Sequence, residues 1–178
     1  MGIIKIPQRA KLIIGLLAKD ISLFEKVEEF FIAHFGDIDF RSKILPFDYT
    51  DYYEKEMGKK LKRRFVSFKN LISQEDISKI KIKTNILEKD MSLSSGSSSK
   101  REVNIDPGYI TDAKLVLATA KDYAHRIYLD NGVFAEVTLS WKGKSYEPLP
   151  WTYTDYKTKE YIEIFNTIRK KYMEENER

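Results

Sequence analysis

The chain has 178 residues, 42% hydrophobic and 33% charged, with a formal net charge of +4. That length supplies one full hydrophobic core rather than two, and the balance excludes a fibrous or disordered chain. Cysteine is absent, which excludes disulfides, thiolate chemistry, iron–sulfur clusters and cysteine-ligated zinc, and fits the cytosol.

With only His34 and His125 as histidines, a metal site would rest on carboxylates and suit a hard cation such as magnesium. The apolar stretch 12–18 is too short to span a bilayer. Lys19-Asp20 follow it with no small-residue cleavage site, so no signal peptide is read, and Ile6 stands where a myristoylation motif has Ser or Thr.

In chain order, residues 11–18 form a continuous apolar run, the pattern of a central strand buried on both faces. Ser22 and Glu25 have capping-box spacing and open a helix with Phe24, Val27, Phe31 and Phe35 along one side, closed by Gly36 as a left-handed cap. His34, on that stripe, reads as core. A second strand is expected over 38–45, before Pro46. The strand–helix–strand unit favours a sheet with helices packed on it.

Residues 47–58 are aromatic, acidic and turn-like. Residues 59–64 (Lys-Lys-Leu-Lys-Arg-Arg) carry five basic side chains in six and open a strand over about 61–68. They read either as a solvated strand end or as an electrostatic footprint for a phosphate-bearing partner. Capping chemistry recurs at residues 73–76, and Ile77, Ile80, Thr84 and Leu87 keep helical spacing to about Asp90. A flexible Ser-rich loop follows at 92–99. The last helix, about 157–175, places Tyr161, Phe165, Ile168 and Tyr172 on one stripe, and a frayed tail is expected after it.

Residues 125–139 carry the strongest hairpin signal. A two-residue Asn131-Gly132 turn would set Ile127 opposite Glu136. A three-residue loop over 130–132 instead pairs Leu129 with Val133, Ile127 with Ala135, Tyr128 with Phe134 and Arg126 with Glu136. The second register separates an apolar from a polar-aromatic face and is the one expected. It puts His125 on the apolar face beside Val137, and Arg126, Tyr128, Glu136 and Thr138 on the other. The Arg126–Glu136 pair reads as a cross-strand contact, or as an arginine held ready for a phosphate or carboxylate.

Asp106-Pro107-Gly108-Tyr109 fits a type II turn, and Thr111-Asp112 then looks like a helix N-terminus. Asp106 would either bond its own turn amides or hold a metal ion or a ribose hydroxyl beside an anion cradled by the helix start.

Seven segments, 47–58, 63–68, 104–109, 117–122, 125–128, 136–139 and 150–155, together resemble an uncharacterised prokaryotic domain-of-unknown-function family (family 4416). The resemblance covers nearly the whole chain and implies a single domain, 1–178. It carries no activity, but it sets the Asp-Pro-Gly-Tyr segment in a shared pattern and so gives weight to Asp106. Thr154 departs from that pattern, where such proteins often have proline.

The expected fold class is α+β: a single domain with a mixed β-sheet, a C-terminal antiparallel hairpin and about three to four helices. The chain has no phosphate loop, no dinucleotide-binding glycine fingerprint and no Gly-x-Ser-x-Gly elbow, so the motifs name no reaction. Two readings stand. In the first, a phosphorylated small molecule or nucleotide binds, with Arg64, Lys121 and Arg126 on the anion and Asn104 and Tyr109 as further ligand contacts. Asp106, Asp122, Glu136 and His125 are then the catalytic candidates, and Asp106 and Glu136 the magnesium ligands. In the second, RNA or another acidic partner binds residues 59–64, with Tyr52, Tyr53 and Trp151 as stacking surfaces.

Overall fold

A computed structural model of the chain describes residues 2–94 and 101–176. Its elements are β1 (Ala10–Ala18), α1 (Ser22–Phe35), β2 (Ile38–Arg41), β3 (Leu45–Phe47), α2 (Glu54–Met57), β4 (Leu61–Ile72), α3 (Ile77–Ser94), β5 (Val103–Ile110), β6 (Lys114–Thr119), β7 (Ile127–Asp130), β8 (Val133–Lys142), β9 (Ser145–Pro148) and α4 (Lys159–Asn176). The nine strands form one sheet in the order β2-β4-β1-β5-β6-β8-β7, with β3 added beside β4 and β9 beside β8. The α+β class, the hairpin and the four helices stand as expected, and every pairing in the sheet is antiparallel.

The continuous apolar run becomes β1, buried along its whole length because both faces are covered. Its even-numbered side chains, Leu12, Ile14 and Leu16, pack with Phe24, Val27 and Phe31 of α1 and Ile77 and Ile80 of α3. On the other face Ile13 joins Phe65 of β4 and the α4 stripe Tyr161, Phe165, Ile168 and Tyr172. The sheet is therefore the middle layer of three.

Several local expectations are corrected. Helix α1 begins one residue early for the Ser22 cap, so no side chain caps it; the Asp20 carboxylate instead accepts the Ser22 amide at 2.9 Å. His34 lies outside the core, exposed and stacked on Phe30 with ring centroids 3.9 Å apart. The strand expected over 38–45 divides into β2 and β3, which pair with successive stretches of β4. The flexible loop expected at 92–99 does not begin there, since α3 runs on through Ser94; its remainder, 95–99, and the tail at 177–178 lie outside the described residues.

The hairpin keeps the expected register, with Ile127 opposite Ala135 and Tyr128 opposite Phe134. Its loop is nevertheless the shorter one. Asn131 and Gly132 both have positive φ, Asp130 faces Val133, and a bulge between Tyr128 and Asp130 absorbs the odd residue. The aliphatic face of β7 finds no cover: Ile127 is 71% exposed.

The largest correction concerns Asp106-Pro107-Gly108-Tyr109. It is no turn, and no helix follows: these residues lie inside β5, paired along their length with β1, and residues 111–113 make the tight connection to β6. Pairing with β1 overrides the local turn preference, and the proline and glycine have different uses. Pairing with β6 ends at Gly108, after which the two strands part. Ile105 turns its amide and carbonyl toward the resulting gap, and in a strand every second residue presents the same edge, so Pro107 omits an N–H that would face it unpartnered. At Gly108 β6 comes so close that a Cβ would lie 2.3 Å from the Val116 carbonyl oxygen and 2.8 Å from Leu117 Cδ2. Gly108→Ala should therefore destabilise the fold by about 1–3 kcal/mol or more, read as a lowered urea midpoint, because backbone must move to admit the methyl.

Candidate functional site

The parting of β5 and β6 opens the sheet, and the opening is walled into a cavity of about 770 Å³. Asn104 and Asp106 of β5 form one side, with Leu117 to Lys121 along and beyond β6 opposite. Helix α3 reaches through the gap from the far face of the sheet. Glu88 Oε1 accepts the Ile105 amide at 2.5 Å and Lys81 Nζ donates to the Ile105 carbonyl at 2.9 Å. These side chains replace the ladder bonds that β6 no longer makes, which is what lets a central strand have an open edge.

Arg63 lies at the centre. It projects from β4 across β1 at Gly15, which stands in register between Phe65 and Asp106. A Cβ on Gly15 would sit 3.1 Å from Arg63 Nη1, so the bare backbone there gives the guanidinium passage. Arg63 then donates to Asp106 Oδ2 at 3.1 Å and, from its other terminal nitrogen, to Asp155 at 3.5 Å. Phe47 and Phe65 flank it, with ring centroids 5.0 and 5.6 Å from the guanidinium carbon. Asn104 donates to the same Asp106 oxygen at 2.7 Å while accepting from Arg101 at 2.7 Å.

Burial acts to raise the Asp106 pKa, but the charges of Arg63 and Lys81 and the bonds from Arg63 and Asn104 prevail and hold it below the ordinary carboxylate value. Burial raises Asp155 and Glu88, against the pull of Arg63 on the first and Lys81 on the second. One pocket thus holds a carboxyl whose pKa is lowered and two whose pKa is raised, environments that push neighbouring acids apart.

At the mouth, three contacts link four residues in an arc. Lys121 donates to the Tyr52 hydroxyl at 2.6 Å, Arg126 donates to the Lys121 carbonyl at 3.0 Å, and Arg126 Nη2 donates to the Tyr153 hydroxyl at 2.5 Å. The expected Arg126–Glu136 pair is present, with Nε donating to Oε2 at 3.0 Å. Lys121 makes no ion pair among the described residues; its ammonium sits over the Tyr52 ring, 4.3 Å from the centroid.

A family model described as a domain of unknown function, DUF4416, matches residues 8–172. The chain belongs to this family. No curated protein and no solved structure matches it. The matched span contains Arg63, Asp106, Glu136 and Asp155, so the family's extent includes every side of the cavity.

Of the residues singled out from sequence, Asn104, Asp106, Lys121, Arg126 and Glu136 do line the cavity. His125 stands behind it rather than on the apolar face, because β7 begins only at Ile127 and strand alternation does not extend back to it. Its Nε2 lies 3.0 Å from Glu136 Oε2, and its ring stacks on Trp151. Asp122 is exposed outside the cavity. Tyr109 packs in the core on the opposite face of β5, and Arg64 also points to that side, where it pairs with Glu28 at 3.0 Å over Phe24. Among the described residues no three histidine, aspartate or glutamate side chains gather to hold a metal ion, and Asp106 and Glu136 are each bonded by an arginine. No described helix is long and apolar enough to cross a membrane.

Sequence reasoning misses Arg63, Lys81, Glu88, Arg101 and Asp155. For Arg63 the signal is partial: period-two alternation puts it on the face of Leu61 and Phe65, but it puts Arg64 with Val66 and Phe68, so an arginine on an apolar face is legible and which one is not. Lys81 and Glu88 likewise share the helical stripe of Ile77 and Thr84.

Because the folded pKa of Asp106 is depressed, its ion pair contributes stability at pH above the ordinary value of 3.8, and that contribution is lost as pH falls through the lowered folded value. Asp106→Asn should cost about 1.5–3 kcal/mol at neutral pH. The gap from wild type should close in acid; a pH series of denaturant titrations measures it.

Proposed function

We propose that this protein binds a phosphorylated small molecule of nucleotide size in the cavity between β5 and β6. The observation that carries the reading is the mouth: Lys121, with no ion-pair partner among the described residues, is tied through its own carbonyl to Arg126, and two tyrosines flank them. An ammonium and a guanidinium lining the same cavity offer an anion two cationic partners. Tyr52 and Tyr153, both partly exposed, offer ring faces and hydroxyls to the rest of the ligand. A volume of about 770 Å³ is that of a small-molecule site, and perturbed carboxyls in a concave pocket are its usual company.

The two carboxylates first read as magnesium ligands are matched by arginines, which supports recognition of the anion by Lys121 and Arg126 directly. The basic stretch 59–64 supports the small-molecule reading over RNA. Strand alternation divides its arginines: Arg63 turns into the cavity and Arg64 turns to Glu28, so the two do not share one basic face.

The test is thermal melting of the purified protein against nucleotides, sugar phosphates and short RNAs. A phosphorylated small molecule at 100 times its Kd should add about 2.7 kcal/mol of stability. Lys121→Ala and Arg126→Ala should each weaken binding by about tenfold, the loss of one charge-assisted contact. Stabilisation by RNA alone, unaffected by Lys121→Ala, would refute the reading.

A further inference from the structure

The floor of the cavity has a different chemistry from its mouth. Both protein hydrogen bonds to the Asp106 carboxylate fall on Oδ2. Its other oxygen accepts none among the described residues, and the side chain, which lines the cavity, is 27% exposed. Lys81 lines the same wall, 7% exposed, and donates one of its three N–H groups to the Ile105 carbonyl. It makes no ion pair among the described residues, and the carbonyl it bonds is the one directly before Asp106 in the chain. One turn along α3, the Asn85 amide faces the cavity as well.

A carboxylate paired with Arg63 through one oxygen and an ammonium with hydrogens to spare therefore line the same cavity. A cationic ligand group placed there would meet Arg63 and Lys81. An anionic one would meet Asp106 and Glu88. A hydroxyl donates to a carboxylate and accepts from an ammonium at once, so it satisfies both without adding charge to a buried place. Phe47, Tyr53, Leu117 and Tyr156 contribute to the less polar part of the wall.

We infer that Asp106 Oδ1 and Lys81 form a hydroxyl-recognising position, so that the ligand is a phosphorylated sugar, free or within a nucleotide. The inference rests on the reading of Lys121 and Arg126 as the anion position and adds what the other end of the ligand is. Asp106 is then a specificity-determining residue: it selects among phosphorylated compounds instead of binding the phosphate.

Titration calorimetry with two probes of equal charge and similar length, ribose 5-phosphate and n-pentyl phosphate, tests this. Wild-type protein should bind ribose 5-phosphate at least about tenfold more tightly, as expected for hydrogen bonds to an ionised group. In Asp106→Asn the preference should fall below about threefold while the affinity for pentyl phosphate holds. Lys81→Met should remove the preference from the other side of the position, which keeps the test open should Asp106→Asn fold poorly. Lys121→Ala should weaken both probes alike.

Equal binding of the two probes to wild type overturns the inference while leaving the proposed anion position intact. It is overturned equally if adenosine monophosphate outbinds pentyl phosphate and ribose 5-phosphate does not, since the donor is then on the base. Failure of every phosphorylated probe to bind removes the anion position, and this inference with it.

Discussion

The buried guanidinium of Arg63 is the interaction on which the site depends. It crosses β1 at Gly15, engages Asp106 and Asp155, and lies between two phenyl rings. A buried ion pair offers little net stability over well-packed hydrophobic residues, because both charges must leave water, yet losing one partner strands the other at high cost. Three strands and the segment before α4 are thereby held in one arrangement: β4 supplies the arginine, β1 the passage, β5 one carboxylate and the 3-10 turn Asp155–Lys157 the other. A hydrophobic residue could fill the volume of Arg63 but could not orient Asp106 toward an open cavity.

The second constraint is the parting of β5 and β6. An open edge inside a sheet leaves backbone groups without partners, and each element of the local sequence answers that problem differently. Pro107 omits a donor, Gly108 permits the last close pairing, and Glu88 and Lys81 of α3 bond the amide and carbonyl of Ile105. The cavity is thus a gap in the sheet whose exposed backbone has been satisfied from the side. The polar groups that do so are themselves part of its wall, which is why structure and recognition cannot be separated at Lys81 and Glu88.

Much of the framework is legible in the chain itself. The unbroken apolar run marks β1, the Tyr161–Phe165–Ile168–Tyr172 stripe marks the inner face of α4, and the alternation around residues 127–135 sets the hairpin register, although the loop is shorter than that alternation suggests. Five of the nine candidate site residues reach the cavity, since polar groups at strand ends and on one hairpin face gather where strands diverge. What stays hidden depends on pairing. The Asp-Pro-Gly-Tyr segment has the local chemistry of a turn, and only β1 and β6 on either side make it a strand. The choice between Arg63 and Arg64 turns on a parity that neighbouring strands fix. The role of α3 follows from a gap that no single segment encodes.

The central claim is that a phosphorylated ligand enters between β5 and β6 and meets the Lys121–Arg126 mouth. Amide chemical-shift mapping by NMR, on isotope-labelled protein titrated with a nucleotide, tests it most directly. Perturbed amides are expected at Tyr52, at Thr119 to Lys121 and Arg126, at Tyr153 and at Asn104 and Asp106, which surround one cavity from four separate segments. Shifts confined to residues 59–62 of the basic stretch, or no shifts at millimolar nucleotide, would contradict it.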